Sequence, residues 1–344
     1  MTPRPRAWRA LPSRSRLHAM LMSPLQRLTE GGLSIGVELP LDNDWSPAGQ
    51  IRRQAEGRPF GVPDMQRHDE LARLADGLGF RALWLRDVPV YDPGFGDAAQ
   101  VFEVFTYLGY LAGVTDRILL GTAAVVLPIR EPILTLKAAA SIERLSRGRL
   151  LLGVASGDRP VEYPLFGSDF ERRGESFREQ VEMLRQWRGA TWPDGIEVFP
   201  RPSAELPLLV AGLAQQQPEW IGTRMDGLLA YPRMPEEHAE RVLRWRQVAG
   251  GKPYISFIHL DLAERPDTPM RRHRFGGRVG RNGLIAELEA MREAGVQHVG
   301  LQLRRNERPL DDTLRELSEF VLPRFHSLAA AEAASNGAHE RGAK

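Results

Sequence analysis

The sequence contains no cysteine among its 344 residues. This absence excludes disulfides, cysteine-ligated zinc or iron–sulfur centres, and thiol catalysis. A reducing compartment is compatible with such a composition, and a cytoplasmic location is the expectation. No apolar run reaches the roughly 18 residues that a membrane-spanning helix needs, so we expect no membrane segment.

Two further signatures are missing. The first predicted strand ends Glu38-Leu39-Pro40, without the glycine fingerprint that dinucleotide-binding sheets carry at this point. The eight histidines form no pair at the spacing of helical metal ligands. The sequence therefore gives no indication of a bound dinucleotide or of a metal site.

Charge is unevenly distributed along the chain. The formal net charge is +2, but residues 1–30 carry six arginines and one acid, a net of +5, which leaves −3 for the rest. We expect residues 1–30 to form a flexible basic extension, although an arginine-rich, acid-poor start also resembles a transit peptide. Residues 327–344 are expected to be a flexible tail. The body has no excess of positive charge that would favour nucleic-acid binding.

Residues 31–326 are expected to form one domain in which strands and helices alternate. Eight units of short apolar strand and longer helical pattern follow one another. Alternation of this kind predicts a parallel sheet, and eight units in roughly 300 residues favour a closed (β/α)8 barrel of the α/β class over an open sheet. The predicted strands are 33–39, 82–85, 118–127, 150–155, 208–211, 228–231, 254–260 and 296–303.

The predicted helices lie between these strands and after the last one. They cover 64–78, 99–112, 133–145, 174–187, 218–224, 235–248, 283–293 and 310–325. Four connections are long, namely 40–63, 86–97, 156–173 and 261–280, and each follows a strand. In a barrel such loops project from the carboxyl face, where ligands bind, so we expect the active site there.

Several segments at strand ends have compositions that suit ligand binding. Residues 153–159 (GVASGDR) and 210–217 (VAGLAQQQ) have the small residues and helix-start amides of phosphate loops, although ordinary tight turns have the same composition. Asp87 lies just after the second predicted strand, where barrels place catalytic groups and where aspartate also caps loops. The arginine-rich segment 271–281 is either an anion site or a solvated surface loop.

Longer stretches resemble the bacterial-luciferase-like flavin monooxygenase superfamily. They are residues 121–128 (GTAAVVLP), 138–150 (AAASIERLSRGRL), 152–157 (LGVASG), 166–177 (with Phe166, Phe170, Arg173 and Phe177) and 207–212 (PLLVAG). The resemblance depends on their joint order and spacing, and it extends from about Leu33 to Phe325. Within the superfamily the chain is most similar to a group of luciferase-type oxidoreductases that share 83–89 (LWLRDVP) and 275–281 (FGGRVGR).

The resemblance implies a barrel that binds flavin and activates dioxygen. Ala123 and Ala124 match the position of a non-proline cis peptide behind the flavin ring. Seven other positions match the segments that line the ring and the phosphate: Ala155, Ser156, Gly157, Ala211, Gly212, Ala214 and Gln215.

The chain also departs from the family pattern. Ser156 stands where luciferase has a phosphate-binding arginine, relatives usually have serine where Ala214 stands, and no histidine pair follows the second strand. We expect Arg278, with Arg281 or Arg159 as alternatives, to supply the missing cation. Asp87 is expected to act as a catalytic residue on the substrate side.

The expected function is that of an oxidoreductase, a flavin-dependent monooxygenase that uses reduced FMN and dioxygen on a small-molecule substrate. Because the chain lacks a dinucleotide fingerprint, a separate flavin reductase is expected to supply the reduced cofactor. A deazaflavin-dependent hydride-transfer enzyme and a non-catalytic flavin-binding protein are the alternatives. The resemblance also suggests a homodimer.

Overall fold

Strands and helices alternate along the chain in the computed structural model, which describes residues 22–95, 102–186 and 196–326. The strands are β1 (Ser34–Glu38), β2 (Ala82–Leu85), β3 (Leu119–Thr122), β4 (Val125–Val126), β5 (Leu150–Ala155), β6 (Leu208–Ala211), β7 (Gly227–Leu229), β8 (Tyr254–Leu262), β9 (Arg271–His273), β10 (Gly276–Val279) and β11 (His298–Gln302). The helices are α1 (Pro24–Thr29), α2 (Pro47–Ala55), α3 (His68–Gly77), α4 (Val104–Val114), α5 (Pro132–Leu145), α6 (Glu162–Leu165), α7 (Arg173–Gln186), α8 (Pro218–Arg224), α9 (Pro235–Ala249), α10 (Arg281–Glu293) and α11 (Leu310–Glu316).

The parallel strands close into a barrel. Pairing runs in the order β1–β2–β3–β5–β6–β7–β8–β11, and β11 returns to β1. The short β4 continues β3 along β5. The predicted (β/α)8 barrel is confirmed. Because all eight strands run in one direction, their carboxyl ends meet at one rim, here called the mouth, and their amino ends at the other, the base.

Element bounds agree with the pattern where strands are short and apolar, as at β2, β5 and β6. The largest difference lies in 261–280, which was predicted to be a loop. It contains the antiparallel hairpin β9–β10, and β10 extends the sheet along the end of β8. The arginines of this segment hide the strand pattern because the hairpin lies at the surface, where charged side chains are tolerated.

The barrel interior is filled with side chains and is not a pore. An apolar cluster occupies it, formed by Leu28, Ala82, Trp84, Leu119, Leu151, Leu209, Leu229, Ile255 and Phe257. A larger cluster packs the outer face of the strands against the helices. With the middle closed, the barrel can offer a ligand site only at its ends. None of the helices within the described ranges is long and apolar enough to cross a membrane.

Helix α1 closes the base. Ser23 and Gln26 cap its start reciprocally, and Leu28 is fully buried in the interior cluster. The prediction that residues 1–30 are a flexible extension is therefore wrong for this helix. Six residues are too few for a stable isolated helix, so α1 depends on burial that its sequence does not reveal. Residues 1–21 and 327–344, predicted to be flexible, lie outside the described residues.

Hydrogen bonds at the base form a continuous chain. The Trp84 indole donates to His298 Nε2 at 2.9 Å, so Nδ1 carries the proton that binds Ser34 Oγ at 2.7 Å. Ser34 in turn donates to the carbonyl of Leu28.

Ser34 lies within a Gly-x-Ser-x-Gly sequence (residues 32–36), but its hydroxyl is buried and already hydrogen-bonded at the end opposite the mouth. It is therefore not a hydrolase nucleophile.

Candidate active site

The mouth has two halves of different composition. At the ends of β3, β5 and β6 the inward-facing residues are all alanines. They form what is here called the small-residue half, namely Ala123, Ala124, Ala155 and Ala211. At the ends of β1, β2, β8 and β11 the corresponding positions form the polar half: Glu38, Arg86, His259 and Gln302. The halves face each other because their strands lie on opposite sides of the closed barrel.

The small-residue half forms a shallow apolar surface. A cis peptide joins Ala123 to Ala124, as the resemblance implies. Strands β3 and β5 approach closely, since a Cβ on Gly153 would lie 1.8 Å from the Thr122 carbonyl oxygen. The four alanines are partly exposed, whereas the side chains beneath them are fully buried. Such a surface can accept a flat ring, because each of its four side chains is a single methyl group.

A tight loop follows β5. Gly157 has a φ of +79°, and a Cβ there would lie 2.5 Å from the Tyr163 hydroxyl oxygen. That hydroxyl donates to the carbonyl of Ser156. Burial raises the pKa of Tyr163 to about 12, so it remains a donor at neutral pH. The loop is therefore fixed from beneath, with its backbone close to the mouth.

The loop that follows β6 has an unusual backbone. Gly212, Ala214 and Gln215 have positive φ values of 59°, 43° and 61°. Left-handed residues next to right-handed ones turn successive amides toward one side, which creates concavities that bind anions. A Cβ on Gly212 would contact nothing within 4 Å, so the space above it is open. The Gln216 side chain holds the loop by donating to the carbonyls of Gly174 (2.7 Å) and Ala214 (3.1 Å).

Arg173 belongs to a segment that contacts both loops, although no role was predicted for it. Its guanidinium packs on Phe170, 3.7 Å from the ring centroid, and Phe170 packs edge-on against Tyr163. The adjacent Gly174 faces Gln215, whose Cβ would lie 2.8 Å from an added Cβ. Nη1 donates to the Phe170 carbonyl at 2.7 Å, whereas the buried Nε has no protein acceptor within the described chain.

The Asp87 carboxylate is not free at the mouth, in contrast to the catalytic role on the substrate side that was predicted for it. Its carboxylate is almost fully buried and forms an ion pair with Arg130 at 2.6 Å. It also accepts a hydrogen bond of 3.0 Å from the Val126 amide. Val126 follows the Ala123–Ala124 peptide closely, so Asp87 fixes the backbone beside the small-residue half. Both carboxylate oxygens have partners, which suits positioning better than proton transfer.

Arg278 is not placed with the two loops. It lies on β10, beyond β8, whereas the loops follow β5 and β6. Its guanidinium binds Asp261 at 2.6 Å and also Glu307. The alternative Arg281 binds Glu316 at 3.0 Å and lies over the ring of Phe320. The prediction that Arg278 serves a phosphate is therefore not supported, because its charge is already balanced by two carboxylates.

Carboxylates of the mouth differ in how they are held. In the polar half, Glu38 Oε1 accepts from Arg86 at 3.0 Å and from Gln302 at 3.1 Å. Glu162, on α6, is 1% exposed and binds Arg159 at 2.9 Å. Burial raises the pKa of Glu162 to about 7. A carboxyl group that titrates near neutrality at a barrel mouth is a candidate proton donor or acceptor.

The sequence did not identify Glu162 or Arg173 as functional residues. Both lie in the long segment 156–173, which was recognised as a site loop. A charged side chain in such a loop carries no signal of burial, and only its tertiary neighbours distinguish it. In the described part of the chain, no cluster of three or more His, Asp or Glu side chains is arranged to hold a metal ion.

Comparison with known proteins assigns the chain to a family. The model of a family described as luciferase-like monooxygenase matches residues 45–253, which is more than half of the chain. The matched segment contains Asp87, the small-residue half and both loops.

Solved structures share the fold at low sequence identity. Monooxygenase RslO1 from Streptomyces bottropensis is 20% identical, with a TM-score of 0.67 and coverage of 85% of this chain and 100% of that one. An F420-dependent secondary alcohol dehydrogenase, solved with an F420–acetone adduct, is 16% identical, with a TM-score of 0.67 and coverage of 86% and 99%. The oxygenating constituent of 3,6-diketocamphane monooxygenase from Pseudomonas putida, solved with FMN, is 14% identical, with a TM-score of 0.61 and coverage of 86% and 99%.

Proposed function

Because the chain belongs to the luciferase-like monooxygenase family, we propose that it is a flavin-dependent monooxygenase that binds reduced FMN and oxygenates a small organic molecule. The observation that carries this proposal is the small-residue half of the mouth, which lies beside two loops with anion-binding backbone geometry. A flat ring joined to a phosphate requires such a pair of features.

The ring would be held by the four alanines of the small-residue half. Methyl groups leave space for a ring face and exclude water from beneath it. Asp87 would keep this surface in place through the Val126 amide. Both the FMN-bound monooxygenase and the F420-bound dehydrogenase share the fold, which supports a flavin-type ring and leaves its identity to experiment.

The phosphate would lie between the loops, at Ser156, Gly157, Ala214 and Gln215. We assign its cation to Arg173 in place of Arg278. Arg173 belongs to the segment that contacts both loops and keeps a buried Nε without a protein acceptor. A guanidinium with free donors can form charge-assisted hydrogen bonds to a phosphate, whereas Arg278 is already paired.

When bound, reduced flavin would supply two electrons, so that one oxygen atom of dioxygen enters the substrate and the other leaves as water. The chain's own residues would bind the substrate and move its protons. The polar half would face the substrate, and Glu162 would exchange a proton near neutral pH. Because the sequence has no dinucleotide fingerprint, a separate reductase would supply the reduced flavin.

Anaerobic titration tests the cofactor directly. The purified protein is titrated with reduced FMN, oxidised FMN and reduced deazaflavin, and binding is followed by absorbance. We expect the tightest binding for reduced FMN, followed by oxidation of the bound flavin when dioxygen is admitted. Tight binding of the deazaflavin without binding of reduced FMN would instead favour the hydride-transfer alternative. Binding of reduced FMN with no substrate oxygenation across a panel of small organic molecules would favour a flavin carrier.

A further inference from the structure

A buried arginine at the mouth has hydrogen-bond donors that no protein group accepts. Arg304 follows β11 by two residues, is 1% exposed, and donates from Nε to Asp42 Oδ1 at 2.8 Å. Within the described chain, its Nη1 and Nη2 are buried without a protein partner. Burying a charged group has a large desolvation cost unless its hydrogens are bound. The free edge of this guanidinium therefore points to a bound polar group.

Polar atoms on three neighbouring side chains also lack a hydrogen-bond partner. Oδ2 of Asp42, Nε1 of Trp45 and Oε1 of Gln302 are also buried without a protein partner. With the two nitrogens of Arg304, they account for five of the ten such atoms in the described residues. All five belong to segments that follow β1 or end β11, so they lie together at one place on the mouth. Such clustering indicates a small polar compartment, not scattered packing defects.

A second buried arginine shows what a purely structural guanidinium looks like in this chain. Arg149, at the base, is 4% exposed. Its five donors reach five acceptors: Ser146 O, Thr115 Oγ1, Ile118 O, Ala112 O and Thr115 O, all at 2.8–2.9 Å. The chain can thus provide an acceptor for every N–H donor of a buried arginine. For Arg304, by contrast, only one of the five donors has a protein acceptor.

We propose that Arg304 binds a carboxylate of the substrate, so that the substrate class is an organic acid. Nη1 and Nη2 form one edge of the guanidinium, and two parallel N–H groups match the two oxygens of a carboxylate. Nε1 of Trp45 offers a third donor, and the Trp45 ring covers the guanidinium with its centroid 4.4 Å from Cζ. This assignment rests on the proposed function, because it names the substrate of the same mouth.

The position of Arg304 fits this role. The gap between β11 and β1 lies directly across the barrel from the ends of β5 and β6. A carboxylate held at Arg304 would therefore direct the rest of the molecule across the mouth toward the small-residue half. Trp45 belongs to the long connection after β1, and its movement would give the acid access to the buried edge.

Calorimetric titration of the flavin-free protein tests the proposal. The probes are sodium acetate and sodium benzoate as carboxylates, benzyl alcohol as a neutral analogue of the same ring, and inorganic phosphate as a non-planar anion. We expect binding of one or both carboxylates, with benzyl alcohol and phosphate at least about tenfold weaker. No binding of either carboxylate, or equal binding of phosphate, would overturn the assignment.

Three variants locate the site. Arg304→Met should weaken carboxylate binding by about tenfold or more. Asp42→Asn should strengthen it, because the competing negative charge is removed. Arg278→Met is the matched control at the same rim and should change nothing. If Arg304→Met does not fold, Asp42→Asn decides, and an unchanged affinity in that variant contradicts the proposal.

The same protein samples are titrated with reduced FMN. This second titration tests the flavin-dependent function separately from the organic-acid site at Arg304. Carboxylate binding without flavin binding would contradict the flavin function and leave the Arg304 site intact. Flavin binding without carboxylate binding would contradict the organic-acid assignment alone.

Discussion

The base and the mouth of the barrel differ in how fully their buried polar groups are paired, although Arg81 at the base also keeps an unpaired Nε. At the base, Trp84, His298 and Ser34 form one unbroken hydrogen-bond chain, and Arg149 has an acceptor for each of its five donors. At the mouth, Arg304 uses one donor, and Asp42, Trp45 and Gln302 each keep an unpaired atom. Complete pairing serves stability, whereas incomplete pairing leaves groups available to a ligand. This difference supports the proposed ligand site at the mouth without use of the family assignment.

Replacing the two buried arginines should have very different effects on stability. Arg149→Met leaves buried carbonyl and hydroxyl acceptors without a donor, so we expect the free energy of unfolding to fall by about 3–5 kcal/mol. The double variant Asp42→Asn/Arg304→Met removes both charges of the mouth pair, and a loss within about 1 kcal/mol is expected. Urea denaturation measures both. Equal losses would mean that the mouth pair is as structural as Arg149.

Shortening the buried Leu28 at the base should lower stability more than shortening an exposed leucine at the mouth. Leu28→Ala is expected to lower the free energy of unfolding by about 2–5 kcal/mol, because the cavity forms in a closed interior. Leu213, in the loop after β6, is 56% exposed, and Leu213→Ala should change stability by no more than about 0.5 kcal/mol. If Leu28→Ala proved neutral in urea denaturation, α1 would not close the base.

Two arginines of the mouth should differ in their effect on flavin affinity. A charge-assisted hydrogen bond contributes roughly 1.5–3 kcal/mol, so Arg173→Gln should weaken reduced FMN binding by about one to two orders of magnitude. Arg278→Gln is the control, since Asp261 and Glu307 already balance its charge. Anaerobic titration compares the two variants. The reverse order of effects would restore Arg278 as the phosphate residue.

The stability contributions of one residue at the mouth and one at the base should change with pH in opposite directions. Burial raises the pKa of Glu162 at the mouth to about 7 from 4.5, so the stability that it contributes at low pH is lost as the pH rises through about 4.5 to 7. Burial lowers the pKa of His326 at the base to about 4 from 6.5, so its contribution is present above about 6.5 and is lost as the pH falls toward 4.

The pH dependences of stability that come from Glu162 and His326 partly cancel in the unmodified protein. Single variants separate the two contributions. Between pH 4.5 and 7, stability should rise more steeply with pH in Glu162→Gln and less steeply in His326→Gln. Urea denaturation at four pH values gives the slopes. A Glu162→Gln profile parallel to that of the unmodified protein would show that Glu162 does not titrate in this range.

The sequence predicted the scaffold better than the chemistry. The eight alternating units were readable because an apolar strand such as β5 and a periodic helix such as α5 are local patterns. The alanines of the small-residue half also followed from a family motif. Arg173 and Arg304 could not be identified, because what distinguishes them is the partners that they lack. The partners of Arg278 could not be identified either, since its two carboxylates come from other segments.

Binding of the flavin ring by the small-residue half of the mouth can be tested with a single substitution on that surface. Ala211→Leu places a branched side chain on that surface, while Ala286→Leu makes the same change at an exposed position of α10. Anaerobic titration with reduced FMN should show binding weakened by about a hundredfold or more in Ala211→Leu, with an unchanged melting temperature, and no change in Ala286→Leu. Equal FMN affinity in both folded variants would contradict ring binding at the small-residue half.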